Sequence, residues 1–251
     1  MPQRHIPPSH VTLNHRNLYG QIVLIQFDNV HYCYPRIPGD TRSRVHIRRW
    51  SIATGERVAL IGASGSGKTT LLQLAGGILP VDDGSLEVAG QPLATMHETK
   101  RRRFRLAHVG FVFQSFELLP HLTVQQNLLM PFRLLNDQRI SNDVLSRVDQ
   151  MCERLGLASA LRKRRPDRLS QGERQRVAIG RAMVTQPSVV LADEPTGNLD
   201  PALKMTIVKL LLDQCRENEA TLVMATHDLS CVDRFDSCCD TNTLVQWETQ
   251  P

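Results

Sequence analysis

Gly62-Ala63-Ser64-Gly65-Ser66-Gly67-Lys68-Thr69 decides how this 251-residue chain is read. It fits the pattern Gly-x-x-x-x-Gly-Lys-Thr, and its flanks stand in the order that pattern needs. Arg57-Val58-Ala59-Leu60-Ile61 reads as a buried strand, and Thr69 through Ala75 as the opening turns of a helix. Three glycines let the loop curl until successive backbone N–H groups point at one anion, and the helix N-terminus adds partial positive charge. Lys68 supplies a full charge for the β- and γ-phosphates of a nucleotide. The Thr69 hydroxyl is placed to ligate Mg²⁺, and Thr70 begins the packed face of the helix. The predicted nucleotide-contacting set is Gly62, Ser64, Gly65, Ser66, Gly67, Lys68, Thr69 and Thr70.

Further strands end on polar residues. Ser188-Val189-Val190-Leu191-Ala192 runs into Asp193-Glu194, Thr221-Leu222-Val223-Met224-Ala225 into Thr226-His227, and Val109-Gly110-Phe111-Val112-Phe113 into Gln114. Such β-rich runs belong to a parallel sheet covered on both faces, where ligands bind at the carboxyl ends of the strands. Lys68, Gln114, Asp193, Glu194 and His227 are therefore expected in one crevice. There Asp193 would hold Mg²⁺ opposite Thr69, and Glu194 would act as the general base on the water attacking the γ-phosphate. His227 is expected to touch the γ-phosphate.

With 41% hydrophobic residues, the chain can bury the core of one large domain or of a domain with a subdomain. Six cysteines show neither CxxC spacing nor a disulfide framework and read as reduced cytosolic thiols. No signal peptide is evident, and no run approaches the ~18 apolar residues of a spanning helix, so a soluble chain is expected. The net charge of +5 is concentrated in Lys100-Arg101-Arg102-Arg103-Phe104-Arg105 and Arg162-Lys163-Arg164-Arg165. Aromatics make up only 5% of the chain, and none interleaves the second cluster, which argues against nucleic acid. A solvated basic face and attraction to an anionic membrane or acidic partner both remain open.

Residues 1–20 mix Pro, His, Asn and Arg without period and read as a disordered tail, with His5, His10 and His15 fitting no helix face. A β-like run, Ile22 to Phe27, is followed by a second, Val30 to Pro35, and Pro38-Gly39-Asp40 marks a turn. Asp82-Asp83-Gly84 turns into a short strand, Ser85 to Val88. The stretch from about 115 to 178 reads as a mainly helical subdomain, with Ser141 capping a helix that ends before Gly156.

Leu169-Ser170-Gln171-Gly172-Glu173-Arg174-Gln175-Arg176 resembles the Leu-Ser-Gly-Gly-Gln signature of ATP-binding-cassette transporters, and the resemblance extends from about Ile22 to Asp236. It implies an α/β phosphate-loop fold of RecA-like type. A mostly parallel sheet core would carry a small antiparallel β subdomain and an inserted helical subdomain, with the ATPase domain spanning 21–240 and a short tail at 241–251. ATP and Mg²⁺ are the implied cofactors. Two copies would close around two ATP molecules, with Ser170 and Gly172 of each reaching the γ-phosphate held by the other.

By the same resemblance Tyr34 stacks on adenine, with Tyr32 as competitor. Gln114 senses Mg²⁺ and touches the membrane subunit, His227 is the switch histidine, and Thr196-Gly197-Asn198-Leu199-Asp200 couples the two sites. The wording is similar to the lipoprotein-release, macrolide-export and cell-division branch. Its implied partners are a separate transmembrane permease and, through it, a periplasmic adaptor, with the chain peripheral on the cytoplasmic face of the inner membrane. The loop from Gln114 to Val124 is expected to dock the permease, though its apolar residues also suit ordinary packing. The sequence departs from the family at Gln171, at Glu173 and in a tail without an Asp-Gly turn, and no appended regulatory domain is expected. Two other functions stay open, an ATP-switched scaffold that transports nothing and a soluble cassette acting on DNA or ribosomes.

Overall fold

A computed structural model describes residues 22–35, 44–135 and 140–248. The segment 1–20 with its three histidines, the turn at Pro38-Gly39-Asp40 and residues 249–251 lie outside the described residues.

In chain order the elements are β1 (Val23–Cys33), β2 (Arg44–Ala53), β3 (Arg57–Ile61), α1 (Lys68–Ala75), β4 (Asp83–Val88), β5 (Gln91–Pro92), α2 (Glu98–His108), β6 (Val109–Val112) and α3 (Val124–Leu135). There follow α4 (Asn142–Arg154), α5 (Gln171–Met183), β7 (Val189–Asp193), α6 (Pro201–Glu217), β8 (Thr221–Ala225), β9 (Ser237–Asp240), α7 (Thr241–Leu244) and β10 (Val245–Glu248). They build two sheets. One, ordered β10-β2-β1-β4-β5, is antiparallel, and the other, β6-β7-β8-β3-β9, pairs in parallel throughout.

The parallel sheet explains its own sequence. Along β7, Val189 and Leu191 pack toward α1 and the antiparallel sheet, while Val190 and Ala192 pack toward the helices α3 to α6. In β8, Val223 and Ala225 face the first core and Leu222 and Met224 the second. Side chains alternate between faces, so a strand buried on both sides must be apolar at every position.

Differences from expectation lie at the edges. The two runs from Ile22 to Phe27 and Val30 to Pro35 form a single strand, β1, whose register on β4 shifts near Asn29, a residue at φ 52. Ser141 caps α4 as expected, its hydroxyl accepting from the Val144 N–H. Residues 241–248, expected as part of a tail, are folded instead. They form a helical turn and a strand that closes the antiparallel sheet against β2, with Trp247 opposite Val45. Among the described residues no helix is long and apolar enough to cross a membrane.

Candidate functional site

β3 ends at Ile61, and the chain turns through the glycine loop into α1. Two backbone features force glycine here. Gly67 caps the helix at φ 101, and a Cβ there would meet Val245 Cγ1 at 2.9 Å. A Cβ on Gly62, at φ 152, would lie 2.1 Å from Thr241 Oγ1. Lys68 Nζ bridges the loop's own carbonyls, donating to Gly62 at 2.7 Å and Ala63 at 3.1 Å. The ammonium is thereby held over the loop.

A cavity of about 570 Å³ opens above this loop. Its wall contains Ser64 through Thr70, Tyr34, Gln114, Asp193, Glu194, His227 and Trp247, so the carboxyl ends of β3, β6, β7 and β8 contribute side chains to one crevice, as the sequence predicts. Gly62 is not part of the wall, since it packs behind the loop on Thr241. Ser170 and Gly172 also lie outside it, at the start of α5.

The two acids at the end of β7 differ in setting. Burial pushes the Asp193 carboxyl up, against the opposing pull of a hydrogen bond from Thr69 and the nearby Lys68 charge. Glu194 follows at φ 46, a left-handed conformation rare outside glycine and asparagine. Its N–H bonds to Ala225 O at 3.0 Å, while its side chain meets His227 Nδ1 at 2.8 Å. Strained backbone of this sort is often found at functional sites. Asn198 Nδ2 donates to Gln114 O at 2.9 Å, and Gly197 leaves just enough room for the Gln114 amide, 2.8 Å from a Cβ placed there. The loop after β7 is therefore tied to the segment that follows β6.

At the other end of the cavity Tyr34 and Tyr32 separate cleanly. Tyr32 is 7% exposed and belongs to the core, whereas Tyr34 lines the cavity and shares a 2.6 Å hydrogen bond with Thr70 Oγ1. Trp247, which no motif announces, faces Tyr34 with ring centroids 6.3 Å apart and planes 20° from parallel. The only signal for it is an aromatic in a short alternating stretch, Val245 to Glu248, too brief to mark a strand by itself.

Ser170 caps α5. Its hydroxyl oxygen accepts from the Glu173 N–H, and the Glu173 carboxylate accepts from the Ser170 N–H at 2.8 Å, a reciprocal capping box that holds the Glu173 carboxyl below its ordinary range. Ser170 and Gln171 are exposed, whereas Gly172 is buried, and a Cβ there would touch Leu203 Cδ1 at 3.4 Å. Leu169 is buried beneath them.

The residues present suit a magnesium nucleotide. A Thr hydroxyl already bonded to a half-buried, partly desolvated carboxylate, with a glutamine amide nearby, is the hard-oxygen set Mg²⁺ takes. Loop amides and Lys68 suit phosphates, and Tyr34 with Trp247 suits a flat base.

A family model described as "ABC transporter" matches residues 45–197. The chain is 45% identical over 185 residues to the lipoprotein-releasing system ATP-binding protein LolD 1 of Rhodopirellula baltica, covering 74% of this chain and 80% of that protein. It is 42% identical over 178 residues to the macrolide export ATP-binding/permease protein MacB of the same organism, covering 71% of this chain and 26% of that one. Among solved structures it resembles the dimeric post-hydrolysis state of the ATP-binding cassette MJ0796 bound to ADP and Pi, with TM-score 0.76 and 26% identity over 89% of this chain and 98% of the other.

Proposed function

Because the chain belongs to the ABC transporter family, as an ATP-binding subunit with ATPase activity, we propose that two copies close around two Mg-ATP and drive a separate transmembrane permease in lipoprotein release or a related export. The observation that supports this best is the gathering of Lys68, Thr69, Gln114, Asp193, Glu194 and His227 around one cavity, with Ser170 and Gln171 exposed on α5 outside it. A site that has its own base but keeps its signature serine on the outside is completed by a second copy.

Within that site each side chain has a task. Lys68 and the loop amides would hold the β- and γ-phosphates, while Thr69 and Asp193, with Gln114 beside them, would hold Mg²⁺, whose charge would offset that of the phosphates. Glu194 orients and deprotonates the attacking water, and His227 positions Glu194 and contacts the γ-phosphate. Tyr34 and Trp247 receive the base.

The permease would dock in a groove of about 300 Å³ beside β6, lined by Ile78, Leu106, Phe113, Met130 and Leu134. Leu134 is 45% exposed there. Arg181 in the same groove donates to the carbonyls of Phe116 and Glu117, tying it to the loop after Gln114.

Glu194→Gln tests the central claim. Turnover should fall at least about 100-fold while ATP-bound dimers accumulate in size-exclusion chromatography. Loss of ATP binding together with turnover would remove Glu194 from the role of base. Reconstitution with a partner permease should move a lipid-modified substrate; ATP hydrolysis without movement would favour the scaffold.

A further inference from the structure

β1, β2 and β10 lie side by side, and their register places His31 opposite His46 and His46 opposite Gln246. These side chains alternate with the core residues Val30, Tyr32, Val45 and Ile47, so they occupy the sheet's outer face, away from the nucleotide cavity. The two imidazoles stack with centroids 4.1 Å apart and planes 8° from parallel. Glu248, two residues along β10 from Gln246, reaches back diagonally to put Oε1 3.9 Å from His46 Nδ1. One donor atom each from His31, His46 and Glu248 lies within 4.8 Å of the other two.

Two details orient the cluster. Asn29 Oδ1, an acceptor, lies 2.8 Å from His46 Nε2, so Nε2 carries the proton and Nδ1 keeps its lone pair on the Glu248 side. Ligating histidines typically donate their second N–H to an oxygen in this way. His31 Nδ1 is buried and has no hydrogen-bond partner among the described residues, an arrangement that costs free energy unless something else engages the nitrogen. Glu248 also faces Arg44, but through its other oxygen, Oε2, at 3.6 Å. Oε1 stays available.

We propose that His31, His46 and Glu248 form a site for a zinc-type divalent cation. Two imidazole nitrogens and one carboxylate oxygen are an established zinc donor set, with water completing a tetrahedron. Bonds near 2.1 Å require donors about 3.4 Å apart, so the rings must tilt out of their stack and draw together by roughly 1 Å. Side chains on adjacent strands make that adjustment without moving backbone. Bound metal would clip β10, the strand carrying Trp247, to β1 and β2. This site does not depend on the nucleotide reading.

The test uses the full chain without nucleotide, carrying His5, His10 and His15 changed to Asn so that these N-terminal histidines hold no metal. Zinc is titrated against a chromogenic chelator, and Co²⁺ is followed by visible absorption. One equivalent of zinc should bind and raise the melting temperature, and Co²⁺ should give a tetrahedral spectrum without thiolate charge transfer. His46→Gln and Glu248→Gln should each weaken zinc at least about tenfold. Glu248 is partly exposed, so its variant tests the site even if His46→Gln folds poorly. Unchanged affinity in Glu248→Gln, thiolate bands in the cobalt spectrum, or loss of all zinc binding with the three N-terminal histidines would overturn the site.

Discussion

His227 Nδ1 stands 2.8 Å from Glu194 Oε2, and the His227 N–H approaches the same oxygen at 3.4 Å. The carboxylate proposed as base is thus steered from the end of the neighbouring strand. His227→Ala should release Glu194 from that orientation and cut turnover about 100-fold, with ATP affinity changed only a few-fold. Single-turnover kinetics beside equilibrium nucleotide binding would separate the two. A parallel collapse of affinity would make the histidine a binding group instead.

Asp193 carries the opposite cost. Burial, the largest influence, holds its folded-state pKa above the ordinary carboxylate value, despite the Thr69 hydrogen bond. Its stabilising contribution is therefore fully present below the unfolded pKa and is lost as pH rises through the folded one. At neutral pH the charge is a burden to the nucleotide-free protein. Asp193→Asn should raise its melting temperature by roughly 2–4 °C at pH 7, and the gain should vanish near pH 4. The Mg²⁺-dependent part of stabilisation by ATP should disappear in the same variant.

Trp247 should report on the base. The chain has two tryptophans, and Trp50 is buried in the core of the antiparallel sheet. Nucleotide should therefore quench mainly Trp247, and Trp247→Phe should remove most of the signal while keeping much of the affinity. Trp247→Ala should weaken ATP by about 1–2 kcal/mol, within the range for base–aromatic stacking. Equal quenching in Trp247→Phe would mean the base lies elsewhere.

Thr241 braces the phosphate loop from behind. Its hydroxyl donates to Ile61 O at 2.9 Å, so at the 2.6 Å contact with Ser66 Oγ the serine must be the donor. Thr241→Val leaves both partners unmet in a buried place and should cost about 1–2 kcal/mol in urea unfolding. ATP affinity should fall as well, and Thr241→Ser should restore most of both.

What was legible in the sequence were the segments whose chemistry is local. The glycine loop, the strand ends at Asp193 and His227, and the Ser141 cap each need a residue type at a fixed offset, and all stand where expected. β2 escaped notice because Arg48 and Arg49 interrupt its alternation, leaving Val45, Ile47, Trp50 and Ile52 to form the buried face. β9, Ser237-Cys238-Cys239-Asp240, has no apolar run to betray an edge strand of the parallel sheet. Trp247 and Thr241 were missed for a different reason. They reach the loop across about 175 residues of chain, and nothing short-range encodes that meeting. Glu173 is the converse case, a departure from the family pattern that the capping box explains, since Glu and Gln both serve at that position.

Ser170 spends one of its two lone pairs on the Glu173 N–H and keeps its proton to offer outward. An aspartate would begin the helix as stably, yet it would present bare oxygen to whatever approaches. Selection for helix stability alone would let the two exchange freely. Selection for meeting a negatively charged visitor would not, and Ser170→Asp divides those pressures in one substitution.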